Sequence, residues 1–330
     1  MTSPTCLGIE IGGTKLQLGL GAGDGRIASI HRATIDAARG APAILDQIAG
    51  GFEALLADAG VGRGEIAALG IGFGGPVDSA SGVVRRSFQV AGWDGFDLAG
   101  WARAHLGVPG VALANDADAA ALAEATVGAG AGLSPVLYVN SGSGIGGGLV
   151  VGGALYEGSG VGAIEIGHLL VEVDGETVEL EAVASGWAIG EAASALLRRR
   201  IEAGIDPGPL GVLSGGDPGR VTARLAAMAA DRGDPGAIDV YRRAASSLAR
   251  GLNHAVTLLA PRRVVLGGGV ALASASLWLD PIREGLAAIG FGPLRGTYDI
   301  VPALLGEAVV VHGALALARA TLGRPSMRES

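Results

Sequence analysis

Residues 136–156 read VLYVNSGSGIGGGLVVGGALY, three apolar runs separated by a Gly-Ser turn and by Gly152-Gly153. Apolar residues bounded by turn-forming glycines predict strands at Val136–Asn140, Gly148–Val151 and Ala154–Tyr156. The turn Gly142-Ser143-Gly144-Ile145-Gly146-Gly147 matches the GxGxxG spacing of a dinucleotide site, but that site requires a helix next. A strand and hairpin follow, so a glycine hairpin that offers its N–H groups to phosphate fits better than a nicotinamide-dependent dehydrogenase.

The same order stands about 130 residues earlier. Leu7–Ile11 is an apolar run, Gly12-Gly13-Thr14-Lys15 a turn, Leu16–Leu20 a second run, and Gly23-Asp24-Gly25 a turn before Arg26–Ile35. Recurrence of strand, glycine turn, strand, turn, strand predicts two related lobes. Gly12, Gly13, Thr14 and Lys15 lack the four-residue spacer of a Walker loop. Read alone they are equally an ordinary hairpin turn; beside the repeat they are a second phosphate grip.

Between and after these units the spacing predicts helices at Pro42–Ala59, Trp101–Leu106, Asp116–Thr126, Ala188–Ala203, Arg220–Ala230 and Pro235–Leu259, and one from about Glu307 to Leu322. Strands are expected at Ala67–Phe73, Gly110–Ala114 and Arg263–Leu266. The Pro- and Gly-rich stretch Gly204–Gly219 reads as a surface connection. The expected lobes are a smaller α/β lobe of residues 1–115 plus 306–330 and a larger one of 116–305.

Composition agrees with a compact globular protein: 49% hydrophobic and 17% charged residues, far from the low hydrophobicity of a disordered chain. The hydrophobic content is mostly small side chains, because aromatics are 4% and glycines number 59. The single cysteine, Cys6, excludes an internal disulfide and a four-cysteine zinc site and fits a reducing cytoplasm. A net charge of −8 argues against a nucleic-acid partner. Residues 125–156 carry no charge, but Pro135, Asn140 and many glycines interrupt them, so neither a membrane span nor a signal peptide is expected.

Several side chains are candidates for chemistry. Asp116 follows Asn115 where a strand meets an Ala-rich helix; on that segment alone it reads as a helix N-cap. Its place between two phosphate-gripping turns favours a general base for a hydroxyl nucleophile. Glu165 and His168 stand three residues apart after a glycine-rich loop. Glu181 starts the next segment and is otherwise a surface glutamate. Adjacent carboxylates hold polyols through charge-assisted hydrogen bonds.

Taken in order, these motifs resemble the ROK family, named for repressors, open reading frames and kinases, within the actin-like ATPase superfamily. GIEIGGTK (8–15) is similar to its first phosphate motif, GFGGPVD (72–78) to its sugar-side loop, and ANDADAAALAE (114–124) to its catalytic segment. GSGIGGGL (142–149) is similar to its second phosphate motif, EIGH (165–168) and LEAVASG (180–186) to its sugar-binding pair, and VVLGGGV (264–270) to its adenosine contact. The resemblance implies a two-lobed actin-like ATPase (ribonuclease H-like) α/β fold with an inter-lobe cleft. It implies an ATP-dependent sugar kinase of glucokinase or hexokinase type, using Mg²⁺ that enters with ATP, as a cytoplasmic homodimer. Asp116 would be the base; Gly75, Gln89, Asn115, Glu165, His168 and Glu181 would face the sugar. Glu10, Gly12, Gly13, Thr14, Lys15, Gly142, Ser143, Gly144, Gly268 and Gly269 would serve the nucleotide.

Three departures bear on the substrate. Glu10 stands where most members have Asp, and Gln89 where many place a sugar-binding Asn. The cysteine-rich zinc motif is missing: residues 169–180 read LLVEVDGETVEL. No structural zinc is expected, and alternation in this segment predicts a β-hairpin turning at Asp174-Gly175. A hexose is the expected acceptor. N-acetylmannosamine, N-acetylglucosamine or fructose are alternatives, as is a sugar-sensing regulator without turnover, against which Asp116 and the lack of a DNA-binding segment count.

Overall fold

The computed structural model describes residues 4–160 and 162–322. The chain opens with an antiparallel meander, β1 (Thr5–Ile11), β2 (Lys15–Gly21) and β3 (Ile27–Thr34). Helix α1 (Gly40–Ala59) crosses to β4 (Ile66–Phe73), which pairs parallel with β1. After the short hairpin β5 (Val77–Asp78) and β6 (Val83–Val84), helix α2 (Leu98–Leu106) leads to β7 (Gly110–Asn115), parallel to β4. The first sheet therefore has the order β3-β2-β1-β4-β7. Its strands β1, β2 and β4 are buried along nearly their whole length, as expected of strands covered on both faces.

Helix α3 (Asp116–Thr126) precedes the second meander, β8 (Val136–Ser141), β9 (Ile145–Val151) and β10 (Ala154–Leu155). A small hairpin follows, β11 (Leu170–Val173) and β12 (Glu176–Glu179), and then helices α4 (Glu181–Ala184), α5 (Gly186–Glu202), α6 (Gly208–Ser214), α7 (Ala223–Asp231) and α8 (Pro235–Leu259). Strand β13 (Arg263–Gly267), helix α9 (Leu279–Ile289), strand β14 (Asp299–Pro302) and helix α10 (Val309–Leu322) complete the chain. The second sheet runs β10-β9-β8-β13-β14, so a meander extended by parallel strands occurs twice, as the repeated sequence pattern predicts.

By internal contacts the chain divides into one unit of residues 1–136, 148–163 and 304–330, and another of 137–147 and 164–303. This differs from the expected division at 115/116: α3 and the β9–β10 hairpin join the first unit. The reason is packing of α10, which lies on α3 as well as on β1, β4 and β7. The backbones approach so closely that a Cβ on Gly313 would stand 1.8 Å from the Ala119 carbonyl oxygen, and one on Gly70 1.9 Å from that of Ala314. Only glycine permits this spacing. Glu124, fully buried on α3, fastens the same region, accepting N–H bonds from Ala129 (2.7 Å), Leu304 and Leu305 (both 2.9 Å).

Residues 204–219, expected to be irregular, contain helix α6. Pro209 sits in its first turn, where a missing N–H costs nothing, and Asp234 reaches across to accept the Leu210 N–H at 3.2 Å. Asp234 is fully buried, caps α8 and forms a two-armed pair with Arg200 at 2.8 Å per arm. The sequence also leaves α9 and β14 unassigned. Among the described residues no helix is long and apolar enough to cross a membrane.

Candidate active site

In the first unit, the β1–β2 turn is closed by a bond from the Gly12 N–H to the Lys15 carbonyl at 2.9 Å. Lys15 follows it, and its Nζ binds Glu10 Oε1 at 2.8 Å and the Glu307 carbonyl at 3.0 Å. Glu10 lies on β1 and is buried; desolvation raises its carboxyl above the usual range, opposed by Lys15 and assisted by the Asp116 and Glu307 carboxylates. Sequence reasoning placed Glu10 and Lys15 here but had no signal for Glu307, whose carbonyl arrives from the far end of the chain. Gln89 lies directly on the turn, because a Cβ on Gly13 would come within 1.3 Å of its Oε1.

Asn115 and Asp116 divide their duties in a way the sequence did not resolve. Asn115, with extended backbone (φ −63°, ψ 155°), is the N-cap of α3 and accepts the Ala117 N–H at 2.8 Å. Its Nδ2 donates to the Gly75 carbonyl at 3.0 Å, tying β7 to the loop after β4. Asp116 is thus the first helical residue, not the cap. Its Oδ1 shares the Ala117 N–H at 2.8 Å, and its Oδ2 stands 3.5 Å from where a Gly74 Cβ would be. Burial is the main influence on this carboxyl and pushes it up to about 6, against the lowering effects of the Ala117 N–H and the Lys15 charge. A carboxylate poised near neutral pH, still partly accessible and beside a glycine turn, has the properties of a general base.

In the second unit, the turn after β8 is held from two directions. The Gly186 N–H binds the Gly142 carbonyl at 2.8 Å and the Trp187 N–H binds that of Ser143 at 3.3 Å, so the start of α5 is docked on the turn. Glu181 Oε2 accepts the Ile145 N–H at 2.6 Å, and a Cβ on Gly144 would meet the same oxygen at 2.3 Å. Glu181, expected to face sugar, therefore also braces the second glycine turn. Gly268 has φ +89°, and a Cβ there would lie 2.3 Å from the Ser141 carbonyl; Gly269 continues that turn after β13. Gly142, Ser143, Gly144, Gly268 and Gly269 are thereby gathered in one place.

Glu165 is exposed and follows Ile164, whose φ of 58° is a strained value for a β-branched residue. His168 is exposed and its Nδ1 lies 3.4 Å from Glu179 Oε2, at the end of β12. Among the described residues no group of three His, Cys, Asp or Glu side chains is placed to hold a metal ion. The hairpin expected at Asp174-Gly175 is present, with φ of 53° and 84° at its two central residues, as a type I′ turn requires.

Beside the second glycine turn lies a cavity of about 1280 Å³, bounded by the start of α5, by α7 and by the turn after Gly269. Trp187, which sequence reasoning passed over, stands at its wall 71% exposed.

A duplicated meander, paired glycine turns and a carboxylate at a strand-to-helix junction define an actin-like phosphotransferase architecture, and the comparisons agree. Residues 6–321 match the ROK family. A glucokinase of Streptomyces coelicolor is 32% identical over 318 residues, 95% of this chain and 97% of that protein. A kanosamine kinase of Amycolatopsis mediterranei is 32% identical over 333 residues, 96% of this chain and 97% of that protein. A ROK-family glucokinase from Streptomyces griseus, solved with glucose and AMPPNP, superposes with a TM-score of 0.79 at 32% identity, over 96% of this chain and 99% of that one. The fold is the two-lobed actin-like ATPase fold, and the chain belongs to the ROK family, within it to the sugar kinases.

Proposed function

We propose that this sugar kinase transfers the γ-phosphate of ATP to a hydroxyl of a glucose-like hexose, with Asp116 as the general base. The observation that carries the reading is Asp116 itself: a carboxyl raised to about 6 by burial, relieved of the capping role by Asn115, and in the same unit as the Gly12–Lys15 turn. In the step, the hydroxyl oxygen attacks the γ-phosphorus, its proton passes to an Asp116 carboxylate oxygen, the bond from Pγ to the β-bridging oxygen breaks, and ADP leaves. Mg²⁺ belongs to the substrate, arriving with ATP. The first turn, with Gly12, Gly13 and Thr14, offers phosphate its backbone N–H groups, and Lys15 adds positive charge there.

For the sugar, Glu165 and Asn115 are the preferred ligands. Glu165 is exposed, and Asn115 fixes the carbonyl of Gly75 in the adjoining loop. His168 and Glu181 complete the proposed set, each already oriented by one partner. Relatives named for glucose and for kanosamine support a hexose with an equatorial hydroxyl pattern. Cytoplasmic homodimers are part of the same proposal, checked by light scattering.

The test is ADP release with ATP and a panel of glucose, mannose, fructose, kanosamine, N-acetylglucosamine and N-acetylmannosamine, with inorganic polyphosphate run in parallel as donor. Highest kcat/KM on glucose or kanosamine with ATP supports the reading. Turnover confined to fructose or an N-acetylhexosamine refutes the substrate class. Sugar binding without any turnover points to a sensor.

A further inference from the structure

The segment from Arg86 to Gln89 joins two parts of the first unit that flank Asp116. At one end the Arg86 carbonyl lies against Gly75, where a Cβ would stand 2.8 Å from that oxygen. The Gly75 carbonyl accepts from Asn115 Nδ2 at 3.0 Å, and a Cβ on the neighbouring Gly74 would stand 3.5 Å from Asp116 Oδ2. At the other end Gln89 lies on Gly13 of the first glycine turn. Phe88 falls between these ends and is 73% exposed. A single exposed apolar side chain is ordinary on a protein surface, but two features set this one apart. The Arg86 guanidinium lies over the ring at 5.1 Å from its centroid, which orients the phenyl group and leaves the rest of it in water. The backbone beneath is fixed as well: the Ser87 N–H binds Asp94 Oδ1 at 2.9 Å, the Val90 N–H binds Ser87 Oγ at 3.2 Å, and Val90 and Trp93 are buried. A loose loop would let the phenyl ring fold onto apolar neighbours, whereas this one holds it out.

We propose that Phe88 is a specificity residue for the acceptor, an apolar platform at the rim of the sugar site that takes the aglycone of a glycoside, so that the chain phosphorylates hexosides carrying an apolar substituent. This rests on the reading of a glucose-like hexose as acceptor with Asp116 as base. The hydroxyls of the hexose are matched by carboxylates and amides, but a phenyl ring outside that set offers no hydrogen bond and is matched by apolar surface. Covering Phe88 removes apolar area from water on both partners, a gain present only in the bound state. The reaction keeps its form. The anomeric oxygen carries the aglycone, so another ring hydroxyl attacks the γ-phosphorus and its proton passes to Asp116. The bond from Pγ to the β-bridging oxygen breaks, and ADP leaves together with a phosphorylated glycoside whose glycosidic bond is intact.

The experiment uses the full chain and its Phe88→Ala and Phe88→Tyr variants, with ATP and three acceptors: glucose, methyl β-glucoside and phenyl β-glucoside. Circular dichroism checks folding, which the 73% exposure of Phe88 favours. The quantity read is the ratio of kcat/KM for phenyl β-glucoside to that for methyl β-glucoside, which cancels any general loss of activity. Wild type is expected to favour the phenyl glucoside by about 10-fold, chiefly through a lower KM. Phe88→Ala should bring the ratio to about one, and Phe88→Tyr, which keeps the ring, should restore most of the preference. A ratio near one in wild type, or one that Phe88→Ala leaves unchanged, overturns the platform role. So does turnover of glucose with neither glucoside accepted, and in these cases the glucose-like acceptor reading stands. If wild type turns over neither glucose nor a glucoside, that reading falls, and this proposal with it.

Discussion

Replacing Asp116 by Asn separates catalysis from stability, because the two effects have opposite signs. Asparagine keeps the shape and can still accept the Ala117 N–H, while Asn115 holds the helix N-terminus independently. Loss of the base should lower kcat by about 100-fold or more. The stability effect follows from burial. Folding moves the Asp116 carboxyl from 3.8 up to about 6. The folded state therefore holds this proton more tightly than the unfolded chain. The resulting stabilisation is complete below pH 3.8 and is lost as pH rises through 6. A shift of about two units corresponds to on the order of 3 kcal/mol of destabilisation by the ionised carboxylate above about pH 7. The substituted amide carries no charge to desolvate, so the Asp116→Asn variant should be more stable than wild type at about pH 8 by about 2 to 3 kcal/mol, with the difference shrinking towards about pH 4. Urea unfolding at about pH 8 and about pH 4.5 measures this, alongside the pH dependence of wild-type kcat/KM, whose acid limb should fall near pH 6. Near-normal turnover in the variant, or a stability difference that does not change with pH, would refute the reasoning.

Other outcomes follow from particular contacts. Gly13→Ala should push the flexible end of the Gln89 side chain off the turn and raise the ATP KM by no more than about 10-fold; adding Gln89→Ala should recover that loss if the displaced side chain is its cause, and steady-state ATP kinetics on the single and double variants decide it. Glu124→Ala should destabilise the protein by about 2 to 5 kcal/mol by removing the buried carboxylate that accepts the Leu304 and Leu305 N–H groups, measured by urea unfolding, whereas an effect under about 1 kcal/mol would mean that water replaces the carboxylate. Gly175→Val should cost about 1 to 3 kcal/mol, since φ at this position is 84°, and the purified wild-type protein should carry no stoichiometric zinc by elemental analysis. Stoichiometric zinc would show that the hairpin is not sufficient to order its segment.

What could be read in the sequence was local. The two meanders rest on apolar runs broken by glycines, and the Asp174-Gly175 hairpin on alternation plus a dipeptide suited to positive φ; neighbouring residues decide both. The identity of the α3 cap could not be read, because Asn and Asp both cap well, and only the extended backbone at Asn115 assigns the role. Helix α6 was hidden because seven residues between prolines and glycines have little intrinsic helicity. A distant carboxylate, Asp234, supplies the acceptor for Leu210 that stabilises the first turn of this helix. The Glu307 carbonyl that holds Lys15, and the exposure of Trp187, are likewise consequences of tertiary packing with no local signal. The same applies to the first unit's extra segments, which α10 recruits by lying on α3.

The hairpin at 170–179 shows how a segment without Cys or His can still position the Glu181 carboxylate. Val171 and Val173 point inward and are buried, while Glu172 and Asp174 on the alternate face are exposed and serve α8 instead. Arg250 donates to the Glu172 carbonyl and Arg243 pairs with Asp174 at 2.5 Å. The Leu180 N–H closes the hairpin onto the Leu169 carbonyl at 2.8 Å, and the fully buried Leu180 side chain fits against Gly251, where a Cβ would stand 2.5 Å from its Cδ2. The next residue is Glu181, whose Oε2 holds the Ile145 N–H of the second glycine turn. An exposed ion pair such as Arg243–Asp174 contributes little, so the buried valines and Leu180 set the position of Glu181. Its carboxylate is thus delivered to the turn by apolar packing on α8, with a type I′ turn fixing the register of the strands that carry it.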